Sequence, residues 1–169
     1  MWYILYCPQG NDEAILNSCR QRISTPALTD AFLFTCERMK RYQGSWHLEK
    51  EKMFPRYLFL ESEDGQLLLE ELNQYSGIFQ GLGDDRTLTP VKKQEECFLT
   101  ELCGASRHMS MSRGVIRHGV THVTEGPLKG KEQLISKIDR HKRLAFLNVP
   151  GYSLDTEIRV GLEITEKTL

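Results

Sequence analysis

Seven cationic or titratable nitrogen side chains fall within fifteen residues of this chain: Lys129, Lys131, Lys137, Arg140, His141, Lys142 and Arg143. Lysine and arginine neutralise phosphates, and the arginine plane also stacks or bonds bidentately. The group Arg140-His141-Lys142 breaks two apolar runs, so it reads as a turn from which side chains project together. A surface of this kind suits an RNA stem-loop, which offers shape, a wide minor groove and loop bases. A charge run is as often a solvated turn, and that reading carries equal weight here. Tyr152, in Pro150-Gly151-Tyr152, is a candidate to stack on a base, with an ordinary turn tyrosine as the alternative.

The second group is aromatic. Met53-Phe54-Pro55-Arg56-Tyr57-Leu58-Phe59-Leu60-Glu61 alternates so that Tyr57, Phe59 and Glu61 share one face of a strand, and Leu58 and Leu60 the other. A strand apolar on both faces is a central strand. Core packing explains such aromatics. The functional reading makes Tyr57 and Phe59, with Phe54 and Tyr6 beside them, anchors for a helix of another protein.

Other chemistries find little support. Gly126-Pro127-Leu128-Lys129-Gly130-Lys131-Glu132 is one residue short of a phosphate loop and has Glu where the metal-binding Ser/Thr belongs. Gly77, Gly81 and Gly83 miss dinucleotide spacing. His118 and His122 fall at the start of a strand rather than on one helix face. The adjacent pairs Glu95-Glu96 and Asp84-Asp85 point to different faces and read as solvated charge. Five cysteines (Cys7, Cys19, Cys36, Cys97, Cys103) form no Cys-x-x-Cys pair and read as reduced thiols. The expectation is a protein that binds rather than catalyses, with no metal and no cofactor.

The elements that must carry these groups follow from pattern. The 169 residues are 40% apolar, which suffices for one domain or two small ones. No apolar run is long enough to span a bilayer, and Met1 to Pro8 lacks the features of a signal peptide; a cytoplasmic protein without membrane contact is expected. Net charge is −1. Residues 1–105 carry 11 Lys+Arg against 16 Asp+Glu, whereas residues 106–169 carry 11 against 7 and four of the five histidines. That asymmetry suggests two modules, the second suited to polyanions.

Trp2 to Cys7 reads as a buried strand. Asn11 caps a helix with Ile15, Leu16, Cys19 and Ile23 on one face, ended by Thr25-Pro26. Residues 31–42 and 46–52 form a β-hairpin about Gln43-Gly44-Ser45. Its basic end, Arg38, Lys40 and Arg41, is a candidate to lie near DNA; ion pairs with Glu37, Glu49 and Glu51 are the alternative. A second helix runs from Gln66 to Tyr75, and Ile78-Phe79 is a possible strand. Thr89-Pro90 opens a third helix that ends at Gly104. Residues 105–113 have few anchors and read as a linker. Beyond them come strands at Val120–Thr124, Gln133–Asp139, Leu144–Val149, Leu154–Arg159 and Leu162–Thr165, the spacing of a small β-barrel.

In this order the motifs resemble the NusG family of transcription elongation factors. Trp2-Tyr3-Ile4-Leu5-Tyr6-Cys7 is similar to the family's first strand, Phe54-Pro55-Arg56-Tyr57-Leu58-Phe59 to its Phe-Pro-x-Tyr strand, and Gly126-Pro127-Leu128-Lys129-Gly130 to the start of the KOW motif. The stretches 37–50, 126–132 and 137–143 look closer to the LoaP branch, specialised paralogues that act as processive antiterminators.

The resemblance implies an α+β chain. Residues 1–104 would form a NusG N-terminal-like α/β sandwich with an antiparallel sheet, residues 105–113 a linker, and residues 114–169 a five-stranded KOW β-barrel. It also implies partners: the clamp helices of RNA polymerase at Tyr6, Phe54, Tyr57 and Phe59, and a nascent RNA hairpin at the basic cluster. DNA of the elongation complex is a further candidate, and the chain is expected to act as a monomer. Three positions depart from the family pattern. Gln133 stands where the KOW motif usually has glycine. Pro150-Gly151-Tyr152 displaces the aromatic that docks a ribosomal protein and Rho. Pro8 and Gln9 replace the basic residues of the RfaH branch.

Overall fold

The computed structural model describes residues 1–75, 88–149, 154 and 157–169. In chain order the elements begin β1 (Trp2–Tyr6), α1 (Asp12–Arg22), β2 (Asp30–Phe32), β3 (Thr35–Tyr42), β4 (Ser45–Lys52), β5 (Tyr57–Glu61) and α2 (Gly65–Gln74). They continue with β6 (Thr89–Pro90), α3 (Lys93–Cys103), β7 (His108–Met109), β8 (Ser112–Arg117) and β9 (Val120–Glu125). A 3-10 turn at Glu132–Leu134 leads into β10 (Ile135–Asp139), followed by β11 (Leu144–Leu147) and β12 (Ile158–Thr168). The described chain is thus α+β. It divides into two compact units, Met1–Leu33 with Phe54–Cys97, and Phe34–Met53 with Phe98–Leu169.

The first unit is built on a four-stranded sheet in the order β2-β5-β1-β6. β1 and β5 are antiparallel in the register Ile4↔Phe59, Leu5↔Leu58 and Tyr6↔Tyr57. Because side chains alternate, Leu5, Leu58, Leu60 and Ala31 fall on one face. There they join Ile15 and Cys19 of α1 and Leu68 and Leu72 of α2 in one buried cluster. Helical spacing on both helices supplies the matching apolar stripes. Asp64 caps α2, its carboxylate accepting the Leu67 amide at 3.0 Å. Arg20 of α1 donates to the Ala31 carbonyl at 2.6 Å, tying the helix to β2. The expected division of the central strand, with Leu58 and Leu60 on one side and Tyr57 and Phe59 on the other, is what the register shows.

The boundaries differ in instructive ways. β5 begins at Tyr57, not Met53: Arg56 takes φ 72°, and the Tyr57 amide donates to the Phe54 carbonyl at 3.2 Å, so Phe54 to Tyr57 is a turn. Ala31 and Phe32 belong to a separate strand paired with β5, and the hairpin proper starts at Thr35. Thr89-Pro90 does not open the third helix. It pairs with Tyr3 and Ile4 as a short edge strand, where proline's missing N–H costs no ladder bond, and α3 starts at Lys93. Glu95 and Glu96, expected to be solvated, are buried in the first turn of α3. That end of a helix favours negative charge. Ile78-Phe79 and the loop 81–85 lie outside the described residues.

The second unit contains two sheets, β4-β3-β7 and β10-β11-β12-β8-β9. Residues 105–113, expected to be a linker, contain β7 and the start of β8. β7 runs parallel to β3, with Thr35↔His108 and Cys36↔Met109. Glu37 accepts the Met111 amide at 2.9 Å, and Met109 is fully buried. The last two expected strands are one strand, β12, because Gly161 continues extended rather than turning. A Cβ there would meet the Met111 sulfur and, at 2.6 Å, the Glu37 carbonyl. The fifth strand is β8, parallel to β12 and antiparallel to β9. Among the described residues β9 and β10 form the two edges of this sheet, so it is open rather than closed. Gly126, at φ 96°, packs where a Cβ would stand 2.6 Å from the Met111 carbonyl, and the Leu128 amide donates to the Ser112 hydroxyl at 3.1 Å. The Gly-Pro-Leu stretch is therefore an anchored turn.

Candidate functional site

Two surfaces carry the groups singled out above. The first is the end of the β1–β5 ladder. Tyr6 and Tyr57 stand directly opposite each other, their ring centroids 5.3 Å apart. Tyr6 is 48% exposed and Tyr57 half-buried. Behind them lies an aromatic layer. Phe59 stacks on Phe32 at 5.7 Å and meets Phe54 at 5.8 Å, and Trp2 makes an edge contact with Phe32 at 5.1 Å. Phe54 and Phe59 are 1% and 0% exposed. Of the four aromatics expected to touch a partner, only the tyrosines offer surface in this conformation; Phe54 and Phe59 are buried. A pair of half-accessible rings on a rigid strand is an apolar anchor with little side-chain entropy left to lose.

The second surface is the β10–β11 turn. Asp139 and Leu144 close the ladder, leaving Arg140 to Arg143 as a four-residue loop with Arg143 at φ 52°. The Lys142 amide donates to the Asp139 carboxylate at 3.0 Å. That bond holds the Asp139 carboxyl below the usual carboxylate range. Arg140, His141 and Lys142 are exposed, as are Lys137 and Lys129. The Lys137 ammonium lies 5.4 Å from the Phe146 ring. The remaining two members of the cluster are engaged within the chain. Lys131 pairs with Glu101 at 2.7 Å, and Arg143 pairs with Glu163 at 3.3 Å while lying 4.0 Å over the Trp46 ring. The cluster therefore splits: an exposed set at the turn, Lys129 on a separate loop, and two cations that hold the unit together. Tyr152 lies outside the described residues.

The β3–β4 hairpin supplies what sequence reasoning passed over. Gln43 and Gly44 both take positive φ, 52° and 79°, the geometry of a tight two-residue hairpin turn. It places Trp46 across from Arg41, and Tyr42 across from Ser45. Tyr42 stacks on His47 at 3.8 Å. A hydrogen bond to Glu49 pushes the Tyr42 phenol up. Arg38 pairs with Glu51 at 3.0 Å, and Lys40 pairs with both Glu49 and Glu51. The ion-pair alternative thus holds for these two cations. Arg41 has no carboxylate partner among the described residues. Once the turn is placed at Gln43-Gly44, the sequence itself pairs Arg41 with Trp46, which is the signal that was available.

Burial pushes the thiols of Cys19 and Cys103 up to about 12 and that of Cys36 to about 11, so none of these three is a ready nucleophile at neutral pH. Among the described residues no three His, Cys, Asp or Glu side chains gather as metal ligands, and no helix is long and apolar enough to cross a membrane. What the two surfaces can do is bind: one an apolar partner, the other an anion. No curated protein gives a significant match to the chain. The family model described as "Transcription termination factor nusG" matches residues 1–97, more than half of the chain.

Proposed function

The chain belongs to the NusG family of transcription elongation and termination factors, and on that premise we propose that it is a LoaP-type antiterminator bridging RNA polymerase and a nascent RNA hairpin. On this reading the polymerase contact lies within residues 1–104, and residues 114–169, whose described strands form an open five-stranded sheet, act as the KOW module that binds the RNA. Residues 105–113 join the two while contributing β7 and the start of β8. The observation that carries the polymerase half is the Tyr6–Tyr57 pair, accessible at the ladder end, with Phe59 buried two residues along the same strand face. Helix-in-groove docking needs large apolar anchors on a platform that does not move. Bound across the clamp, the factor favours the elongating state, because a ligand shifts an equilibrium toward the state it binds better.

The RNA half is supported by the exposed Arg140-His141-Lys142 turn and by the positive balance of residues 106–169. Recruitment by RNA and binding to polymerase reinforce each other, since the second contact forms at high effective concentration. Action as a cytoplasmic monomer, with DNA of the elongation complex near the hairpin, belongs to the same reading.

The test is co-purification of core RNA polymerase with the full chain. Tyr6→Ala with Tyr57→Ala is expected to weaken binding by roughly tenfold or more while the circular dichroism spectrum stays unchanged. Polymerase binding that is unaffected in that folded double variant sinks the polymerase reading.

A further inference from the structure

Between the tip of the β3–β4 hairpin and the β10–β11 turn, within the second unit, lies a groove of about 380 Å³. Met39, Arg41, Tyr42, Trp46, His141 and Lys142 line it, with Arg38 and Lys40. The volume is that of a small-ligand cleft, for which about 300–1,000 Å³ is usual. Its composition selects the ligand. No carboxylate is among the described lining residues, which offer no ligand set for a metal ion. Two of the cations, Arg38 and Lys40, are neutralised by Glu51 and Glu49. Among the described residues Arg41 and Lys142 form no ion pair and remain to meet an anion; the Asp139 carboxylate accepts the Lys142 backbone amide and also attracts its ammonium. The aromatic surface calls for a flat ring.

The Trp46 ring is held rather than loose. Arg143 lies 4.0 Å over it, fixed in turn by Glu163 at 3.3 Å, and the indole remains half-exposed. The two-residue turn at Gln43-Gly44 fixes the strand beneath it, and the register sets Arg41 alongside. A cation beside a fixed, accessible indole, facing a second cation across a cleft, fits an unstacked base flanked by phosphates. Bases inside a duplex have no free face to offer such a ring.

We propose that this groove receives one unpaired nucleotide of an RNA, its base stacked on Trp46 and its flanking phosphates held by Arg41 and Lys142. The assignment to RNA rests on the reading of the Arg140–Lys142 turn as an RNA contact, since His141 and Lys142 belong to both surfaces. It adds that the hairpin, and not the C-terminal residues alone, grips the transcript, and that it grips an unpaired nucleotide rather than a stem.

The experiment is fluorescence anisotropy of the full chain with labelled r(A)10, d(A)10 and a blunt RNA duplex over a salt series. Binding of r(A)10 is expected, with Trp46→Ala weakening it roughly tenfold, Trp46→Phe staying within about twofold, and binding quenching tryptophan emission in the wild type but much less in Trp46→Phe. Arg41→Ala is expected to weaken binding and to lower the salt slope by about one. Retention of affinity in Trp46→Phe separates a lost stacking platform from a disturbed fold. Should Lys142→Ala weaken RNA binding while Trp46→Ala and Arg41→Ala leave it intact, the turn reading stands and the groove is overturned. Duplex RNA binding as tightly as r(A)10 also overturns the groove, and d(A)10 binding more tightly than r(A)10 overturns its assignment to RNA. Absence of any RNA binding by the wild type overturns both readings.

Discussion

In the first unit Trp2, Phe32, Phe54 and Phe59 are buried and meet one another at ring separations of 5.1 to 6.4 Å. In the second unit Tyr42 and Trp46 stay exposed or half-exposed, one stacked on His47 and the other beneath Arg143. Both groups are aromatic, but the first is buried among rings and the second stays accessible beside His47 and Arg143. Rings packed on rings remove apolar area from water and carry stability. Rings beside cations keep an accessible face and an electrostatic neighbour, which suits a ligand. Aromatic content alone therefore says little about function; what lies next to each ring decides.

The sharpest way to break that comparison is to truncate one ring from each group. Phe59→Ala removes a fully buried ring that touches Phe32, Phe54 and Trp2, and is expected to cost about 3–5 kcal/mol. Trp46→Ala removes a larger side chain but mainly one cation–π contact and some surface packing, so about 1 kcal/mol or less is expected. Urea denaturation of the two variants gives both numbers. Equal losses would mean that the hairpin tip is as structural as the sheet and that the contrast is empty.

A smaller effect tests how the second unit is held together by close backbone approach. There Gly161 lets β12 pass close to Met111 and to the Glu37 carbonyl. Gly161→Ala places a methyl group against backbone that cannot yield as a flexible side chain would, and about 1–3 kcal/mol of destabilisation is expected. Gly65→Ala in the first unit is the matched control. Its Cβ would meet only the Tyr3 side chain, whose far end can move, so a smaller loss should appear in the same denaturation series. A larger loss at Gly65 would reverse the assignment of close backbone approach to the second unit.

The same contrast explains what could be read in advance. Leu58 and Leu60 were legible as core because period-two alternation survives wherever a strand has two distinct faces. The helices were legible from Ile15 and Cys19, and from Leu68 and Leu72, at helical spacing. Thr89-Pro90 misled because the cap signature is local, while pairing to Tyr3 and Ile4 is a long-range contact that no window contains. β8 was hidden because its first residues, Ser112 and Arg113, fall in the stretch 105–113 that reads as a linker. Gly114 is there because a Cβ would stand 2.5 Å from the His122 carbonyl. At the sites, the basic turn was visible as a charge run, but which of its cations were already engaged was not. Glu101 and Glu163, the partners of Lys131 and Arg143, are 30 and 20 residues away. Trp46 was passed over for a related reason: its role depends on Arg143, brought close only by folding.

The least change that still separates the two regions is a single proton. The tyrosine pair of the first unit meets ring to ring, whereas the basic turn of the second is shaped by a carboxylate. Asp139 has its folded-state pKa depressed by the Lys142 amide, so the stabilising bond is fully present above the unfolded pKa and is lost as pH falls through the folded one. The group is exposed, so the turn should loosen locally without unfolding the chain. The Lys142 amide proton, followed by NMR from pH 7 downward, is expected to shift with an apparent pKa below the ordinary aspartate value. Asp139→Asn keeps an oxygen acceptor but removes the titration, so its Lys142 amide should stay flat over the same range. A Lys142 amide that titrates identically in both proteins would mean that another group sets the turn. The contrast between a ring-on-ring anchor and a carboxylate-braced basic turn would then have to be redrawn around that group.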